Sequence, residues 1–397
     1  MLVRPAGAGD LGCCRRGAVL PWFIVCGPVI LLALTWALFT TVHCHRQEEL
    51  KIALENSALA GCNYLVDEEL LTDDPRCFER VHGRALAAIH RIASYNHVDG
   101  EPLSLHAQLD NSPRGEVLLG RLPHAFSHDL FTSIEAPGLD VVRVQAVRGK
   151  VTAAAAAWVD RDVVGFRPQG LRPLPVVPLA ILSDPFAPPS SAHHESWEWC
   201  IEARNGSHDW KCDHETKRPR RCRAGEVDDR IPEITVTFSI NHEKGNGRAL
   251  WFGNNGAREL GRQVTLGLDR NDLAQVGGEL MLPEDKGLLL PRMKTDKRDL
   301  EYLAAALDVL RESGERRVWM VYSPRFDGKD KDGCRAAAIV GFVAAQVMDV
   351  QLHKDRLCVV LQPGMRITDT AVTDCTRREQ GPRPIWNPYI CRVRLVE

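Results

Sequence analysis

The chain has 397 residues, of which 44% are hydrophobic and 26% are charged, and its formal net charge is −2. This balance lacks the strongly basic field that nucleic-acid binding requires, so we expect no nucleic-acid partner. Because single hydrophobic cores stop growing beyond about 250–300 residues, we expect more than one domain.

The first predicted element is an apolar segment near the amino terminus. Residues 18–42 contain no charged side chain, and about 20 apolar residues suffice to cross the hydrocarbon core of a bilayer as a helix. A cleaved secretory signal would have a shorter apolar region of about 7 to 15 residues and small residues at its cleavage site. We therefore expect an uncleaved anchor surrounded by membrane lipid.

Basic residues flank this segment unequally. Arg15 and Arg16 precede it without a neighbouring acid, whereas Arg46 follows it among glutamates. Because lysine and arginine tend to stay on the cytoplasmic side, we expect residues 1–17 to be a cytoplasmic amino terminus and residues 18–42 a single transmembrane helix of the cell membrane. The domains that follow are then expected on the outer side, periplasmic or extracellular.

A helical pattern continues beyond the apolar segment, through residues 43–72. Apolar and small residues recur there at spacings of three and four, which marks one face of a helix. No proline interrupts the pattern before Pro75, so we predict one continuous helix of about 50 residues and about 75 Å. The residues of this face are Leu50, Leu54, Ala58, Gly61 and Leu65.

Ala53, Ser57 and Gly61 form a stripe of small residues spaced by four on the same helix. Such a stripe lets a second helix approach closely, so these residues are the predicted helix-packing site. The alternative is that this half of the helix packs on the globular domain of its own chain, as most amphipathic helices do.

The order of charge, apolar span and small residues resembles a known family. Residues 15–21 read Arg-Arg-Gly-Ala-Val-Leu-Pro, residues 47–50 read Gln-Glu-Glu-Leu after the span, and residues 56–61 read Asn-Ser-Ala-Leu-Ala-Gly. This string resembles the TadG-like proteins of the tight-adherence (Flp) pilus assembly system, and a weaker likeness extends to residue 148. The resemblance implies a bacterial envelope protein that assists or caps a pilus or related secretion apparatus, with other pilin-like or pilus assembly proteins as partners.

Two departures limit what the resemblance implies. Some TadG-like proteins carry an Asp-x-Ser-x-Ser metal motif, which is absent from this sequence, so a metal-dependent adhesion site is not expected. Pilin-type precursors are cut after a glycine that a glutamate follows five residues later, yet the fifth residue after Gly17 is Trp22. Processing by a prepilin peptidase is therefore not expected either.

The rest of the chain predicts an α+β fold, in which mixed α/β and β-rich extramembrane domains follow the long helix. We place a first mixed α/β domain at residues 73–184, a linker rich in proline and serine at residues 185–196, and a second α+β domain ending in β strands at residues 197–397.

Periodicity predicts the individual elements of these domains. The predicted helices cover residues 76–96, 255–266 and 298–311. The predicted strands cover residues 103–109, 116–119, 141–147, 152–159, 197–204, 233–240, 318–322, 337–350, 356–361 and 390–396. Residues 349–355 suggest a hairpin with a polar turn. The proline-rich residues 166–181 are predicted to be an edge strand or an extended connection, because proline cannot donate to a strand ladder.

Ten of the thirteen cysteines, from Cys44 onward, fall on the expected outer side, where disulfides are allowed but their pairing cannot be read from sequence. Cys358 and Cys391 lie in apolar strands and are expected to be buried thiols. The metal-like cluster lacks the tight Cys-x-x-Cys pairs of structural zinc sites, which favours a disulfide or a solvated loop. Its members are Cys200, Cys212 and Cys222 with His193, His194, His208 and His214.

Other motifs carry less chemistry. Residues 330–333, Asp-Lys-Asp-Gly, resemble the middle of a calcium loop, but Ile339 stands where an acid is needed, so a charged turn is expected. The basic run at residues 217–223 is expected to be a solvated loop. The sequence has no nucleophile elbow, no His-Glu-x-x-His and no phosphate-binding glycine loop, so we predict neither an enzyme nor a cofactor or metal site.

We therefore predict a non-enzymatic, membrane-anchored envelope protein that associates through its amino-terminal helix. Two alternatives remain open. The first is an anchored surface-binding or adhesion module whose carboxy-terminal domain recognises a polymer or a partner. The second is an uncharacterised envelope enzyme.

Overall fold

The computed structural model describes most of the chain from Val19 onward. The described residues are 19–72, 76–106, 115–121, 132–133, 139–183, 210–212, 219–223, 226, 231, 233–240, 245–254, 256–283, 287–329, 335–374 and 387–396. The predicted linker at residues 185–196, the predicted strand at residues 197–204, the calcium-like loop at residues 330–333 and, of the metal-like cluster, Cys200 and all four histidines lie outside them.

Two helices form the amino-terminal part of the described chain, and two more pack on the second sheet. The α-helices of the described residues are α1 (Val19–Tyr64), α2 (Cys77–Tyr95), α3 (Ala257–Leu266) and α4 (Lys297–Ser313), with short 3-10 helices at Glu68–Leu71 and Ala274–Val276. α1 is 46 residues long and contains Pro28 without a break. The single continuous helix predicted across the apolar and amphipathic segments is therefore confirmed, although its last turn ends at Tyr64.

Local sequence explains how α4 starts and stops. The carboxylate of Asp296 accepts a hydrogen bond from the Asp299 amide (2.8 Å), and the Asp299 carboxylate accepts one from the Asp296 amide (2.9 Å). This reciprocal capping box satisfies two amides that have no partner within the helix. Gly314 ends the helix in the left-handed conformation, with φ of 64°.

The first sheet holds α1. Its strands are β3 (Val117–Arg121), β4 (Thr132–Ser133), β5 (Val141–Arg148), β6 (Val151–Asp160), β18 (Arg366–Ile367) and β20 (Ile390–Val396). They run in the order β18-β20-β6-β5-β3-β4, and only the β18–β20 pair is parallel. α1 packs on β5 and β6, and α2 packs on α1, so one hydrophobic core includes all three layers.

The second sheet has seven strands and carries α3 and α4. Its strands are β8 (Val176–Leu182), β11 (Ile234–Ser239), β12 (Gly247–Ala249), β14 (Leu288–Pro291), β15 (Arg317–Lys329), β16 (Arg335–Leu352) and β17 (Arg356–Pro363). The order is β11-β17-β16-β15-β8-β12, and β14 also pairs with β16. β16 and β17 form the hairpin predicted around residues 349–355.

Three smaller pairings complete the described strands. β7 (Val163–Phe166) joins β13 (Leu280–Met281) and β19 (Ala371–Thr373) in a three-stranded sheet. β1 (His97–Val98) pairs with β2 (Glu101–Pro102), and β9 (Trp210–Cys212) pairs with β10 (Pro219–Arg221).

The sheets do not follow the predicted division of the chain at residues 185–196. β8 precedes this stretch, yet it lies inside the seven-stranded sheet, parallel to β15. β20 comes near the end of the chain, yet it pairs with β6 of the first sheet. The two units that share the chain are therefore interleaved in sequence.

β8 also corrects the prediction that the proline-rich residues 166–181 form only an edge or a connection. β8 has a neighbour on each side, β15 and β12, although it contains Pro178. The pairing with β15 shifts register between Val318 and Met320, opposite the stretch of β8 around Pro178. The carbonyl of Pro178 still accepts from the Leu250 amide at 2.9 Å. The missing amide is tolerated because it falls where the ladder is already interrupted.

Most of the other predicted elements in the described residues are confirmed, including the helices that became α2, α3 and α4 and the last strand, β20. The strand predicted at residues 103–109 is wrong over its described part. Residues 103–106 are irregular, although Leu103 and Leu105 are buried, because this segment follows the unpredicted β1–β2 hairpin into the core.

Candidate functional site: the exposed helix and its junction with the first sheet

The amino-terminal half of α1 exposes an unbroken apolar surface. Its large side chains between residues 29 and 42 are each 47% to 72% exposed. They are Val29, Ile30, Leu31, Leu32, Leu34, Trp36, Leu38, Phe39 and Val42. Removing one such side chain from water gains roughly 1.5–3 kcal/mol, so a surface of this size favours contact with a membrane or another apolar surface. In the described part of the chain, one helix is long and apolar enough to cross a membrane.

Threonines are the hydroxyl-bearing side chains of this half, and each satisfies itself within the helix. The hydroxyls of Thr35, Thr40 and Thr41 donate to the carbonyls four residues earlier, each at 2.8 Å. A hydroxyl bonded to its own helix needs no outside partner. The surface can therefore be surrounded by apolar material without leaving these groups unsatisfied.

Polar contacts begin directly after Val42. Arg46 Nε donates to Asp99 Oδ1 at 3.0 Å, and its Nη2 lies 2.8 Å from Asp99 Oδ2. The Asp99 amide in turn donates to Glu49 Oε2 at 3.0 Å. Asp99 and Gly100 both have positive φ and form the two-residue turn between β1 and β2. The tip of this hairpin is thus fixed to α1 a few residues beyond the apolar half.

The carboxy-terminal half of α1 is part of the core. Leu50, Leu54, Ala58, Cys62 and Leu65 are each no more than 2% exposed and lie among side chains of α2 and the first sheet. The predicted face, which has Gly61 where this set has Cys62, is therefore buried. Because the same helix carries the exposed apolar half, the exposed half and the folded domain are joined without a linker.

The predicted packing stripe is covered by the chain itself. Ala53 and Ser57 are at most 1% exposed, and the Ser57 hydroxyl donates to the Ala53 carbonyl at 2.7 Å. A Cβ at Gly61 would lie 2.6 Å from Ile89 Cδ1 of α2 and 3.2 Å from Val142 Cγ1 of β5. At Gly61 the close approach that a small residue permits is made to α2 and β5. In this conformation the stripe has no room for a helix from another protein.

Two buried thiols lie near this helix. Burial raises the pKa of the Cys62 thiol well above its ordinary value, and that thiol donates to the Ala157 carbonyl at 2.9 Å. Burial also raises the pKa of Cys391 to about 11. Cys358, on β17, is half-buried and 3.8 Å from the Thr237 hydroxyl. At neutral pH Cys62 and Cys391 remain protonated and act as small apolar groups, because the thiolate is the reactive form.

The segment after α1 joins the helix to the second sheet. Glu68 contacts the guanidinium of Arg316, which immediately precedes β15, and accepts from the Met365 amide at 3.4 Å. Burial raises the pKa of Glu68, and Arg316 offsets only part of this rise. Arg366 contacts the Arg316 carbonyl, so the same group also touches the start of β18. A sequence cannot reveal this junction, because 248 residues separate its two main partners.

The residues that the structure describes contain no group of three or more His, Cys, Asp or Glu side chains able to hold a metal ion. Of the metal-like cluster they include Cys212 and Cys222.

No protein family model, curated protein or solved structure matches this chain. The resemblance to the TadG-like proteins accordingly depends on the residues of α1 and the segments after it that were compared above.

Proposed function

We propose that this protein is a single-pass membrane protein of the bacterial cell envelope that assists assembly of a tight-adherence pilus or a related secretion apparatus. Its role in this proposal is structural, without catalysis. Residues 1–17 lie in the cytoplasm, residues 18–42 cross the cell membrane, and the two sheets lie on the outer side.

The observation that carries the proposal is the continuity of α1. One helix presents a bare apolar half and then enters the core of the first sheet. A soluble protein would bury such a surface, since large exposed apolar patches mark membranes or partners. The positive residues before the span, and the self-satisfied threonines within it, agree with a helix that lies in lipid.

The proposed association with pilin-like helices uses the exposed half of α1. Ala53 and Ser57 are buried, and Gly61 lies against Ile89 of α2 and Val142 of β5, so the proposal assigns intermolecular packing to the exposed half instead. Helices that lie in lipid associate by close packing of their surfaces. In this proposal α1 lies in lipid from Val19 to Val42, and the side chains that the structure describes there begin at Cys26.

Membrane anchoring is tested by placing charges inside the span. Leu31→Arg combined with Leu34→Arg costs about 3 kcal/mol per arginine near the centre of a membrane helix. We expect the variant to shift from the carbonate-resistant membrane fraction to the soluble or aggregated fraction. Gln47→Arg is the control, because it adds an arginine at an exposed position beyond the span. Equal membrane retention of both variants would contradict anchoring by this helix.

Assembly is tested separately from anchoring. Residues 26–42 are replaced by an unrelated leucine–alanine span of the same length, which keeps the protein in the membrane. We expect co-purification with pilus components to be lost while the membrane fraction is unchanged. Association that survives the replacement would contradict lateral packing through this part of α1.

A further inference from the structure

The junction between α1 and the β1–β2 turn lies very close to the end of the apolar span. Arg46, which holds Asp99, comes four residues after Val42. At 1.5 Å per residue this is an advance of about 6 Å along the helix axis. The head-group region on each side of the hydrocarbon core is roughly 5–7 Å thick. If the span fills the hydrocarbon core, the Asp99–Gly100 turn lies at the level of the head groups.

The turn between β5 and β6 lies at the same level along α1 as the Asp99–Gly100 turn. Gly61 of α1 lies beside Val142 of β5, and Cys62 donates to the Ala157 carbonyl of β6. From Val142 to Arg148 the strand advances about 20 Å, which is the rise of roughly 13 helical residues, so a strand that runs alongside α1 from Gly61 ends near the level of residue 48. The direction is fixed because Arg148 contacts the Ser104 carbonyl, which follows the β1–β2 hairpin.

The two turns therefore form one rim around the point where α1 leaves the domain. We define the rim as residues 99–101 and 149–150, together with Arg46. Gly149 and Lys150 form the two-residue connection between β5 and β6, and Gly149 has φ of 60°. Both turns are short and held by strand pairing, so the rim cannot retreat from the bilayer without unfolding a hairpin.

Charge on the rim is balanced. Arg46 and Asp99 neutralise each other, and Glu101 and Lys150 are both exposed. A strongly basic rim would select anionic lipid, whereas a balanced one matches a head group that carries both a phosphate and an ammonium.

We propose that this rim binds the head groups of zwitterionic phospholipids, with Lys150 on the phosphate and Glu101 on the ammonium group. The proposal depends on the membrane anchoring proposed above. It adds a direct contact between the folded domain and the membrane surface. A span of 25 residues is about 37 Å long and exceeds the roughly 30 Å hydrocarbon core, so the helix tilts. Because the first sheet packs on one face of α1, contact between the rim and the head groups limits this tilt.

The experiment places a photo-crosslinking benzoylphenylalanine in the full chain, reconstituted in phosphatidylcholine vesicles. Val147, which is 58% exposed beside the β5–β6 turn, is the test position. Tyr64 is the matched control, because it is 36% exposed on the same rigid helix. It lies 22 residues beyond Val42, or about 33 Å. Crosslinked lipid is measured by mass spectrometry.

We expect several-fold more lipid crosslinked at Val147 than at Tyr64, an unchanged yield when phosphatidylglycerol is added, and a lower yield in the Lys150→Glu variant. Equal yields at the two positions, in protein that floats with the vesicles, would overturn the rim contact and leave the anchoring intact. Crosslinking that requires phosphatidylglycerol would overturn the assignment to zwitterionic lipid. Protein that fails to float with the vesicles would overturn the anchoring itself.

Discussion

At Gly61 the backbone of α1 approaches its neighbours so closely that a side chain cannot fit without displacing them. The hypothetical Cβ meets Ile89 on one side and Val142 on the other. The small residue is therefore required by the chain's own core, whatever other proteins surround the helix. Its spacing from Ala53 and Ser57 predicted close packing but could not indicate which helix or strand supplies the partner.

Replacing Gly61 by alanine tests this packing. We expect Gly61→Ala to lower the free energy of unfolding by roughly 1–3 kcal/mol, because overpacking outweighs the gain in helix propensity. Gly83→Ala is the matched control in α2, where the added Cβ has no atom within 4 Å beyond its chain neighbours and the adjacent helix backbone. That variant should gain about 0.5–1 kcal/mol. Denaturant unfolding of the full chain in detergent measures both, and a neutral Gly61→Ala would refute the close contact.

Neighbouring glutamates after α1 respond to their surroundings in opposite ways. Burial raises the pKa of Glu68 above its ordinary value of 4.5, with Arg316 offsetting part of the rise. Burial also acts to raise the pKa of Glu69, but hydrogen bonds from Arg80 and Arg84 outweigh it and lower the pKa. Folding thus makes Glu68 a weaker acid and Glu69 a stronger acid than each is in the unfolded chain.

These shifts predict opposite pH dependences. For Glu68 the folded state holds the proton more tightly, so its contribution to stability declines as pH rises from 4.5 through the raised pKa. For Glu69 the contribution is present above 4.5 and is lost as pH falls through the lowered pKa. Thermal unfolding from about pH 3.5 to about pH 7 should therefore show that Glu68→Gln flattens a decline with rising pH, while Glu69→Gln loses stability chiefly at the upper end. Identical profiles for the two variants would contradict the assignment.

Among the elements, the helices were the most predictable and the strands the least. α1, α2 and α4 have apolar residues at helical spacing, and this periodicity is a local property of the sequence. β8 was missed as an interior strand because its tolerance of Pro178 depends on a register shift against β15, more than 130 residues away in the chain. The irregular path of Leu103 and Leu105 likewise depends on a preceding two-residue hairpin, for which the sequence offers only Asp99-Gly100 as a signal.

The capping box of α4 shows how much a local motif contributes to an element. Asp296→Ala removes the acceptor for the Asp299 amide and should cost about 1 kcal/mol of unfolding free energy. Lys297→Ala is the matched control, since its ammonium is largely exposed and lies 3.7 Å from Glu301. An exposed pair of this kind contributes little, so we expect a change within about 0.5 kcal/mol. Equal effects of the two substitutions would argue against the cap.

On the scale of the whole molecule, the candidate site combines a part that was predictable with a part that was not. The exposed apolar half of α1 follows directly from composition, because no charge interrupts residues 18–42. The rim beside Arg46 and the Glu68–Arg316 junction do not, because each joins segments that only the three-dimensional fold brings together. The pairing of β8 with β15 and of β20 with β6, across the predicted boundary at residues 185–196, was not predictable for the same reason.

Interleaving predicts that the chain cannot be divided at the proline-rich stretch. A fragment of residues 1–184 lacks β20, the partner of β6, and leaves β8 without β15. We expect this fragment to be aggregated or protease-sensitive in the membrane, whereas the full chain resists limited proteolysis. A fragment with full-length resistance would show that the first sheet folds without its last strand. The matched control is a full chain cleaved within residues 185–196, in which β20 is still present.

Because β20 comes near the end of the chain, β6 is synthesised well before the strand with which it pairs. Roughly 230 residues separate the end of β6 from the start of β20, and ribosomes add about 5–20 residues each second, so β6 waits on the order of 10–45 s for its neighbour. By then α1 has long since emerged. During that interval β6 offers an unpaired edge to any nascent chain nearby, so the growing polypeptide depends on a chaperone or on fast translation to avoid misassembly.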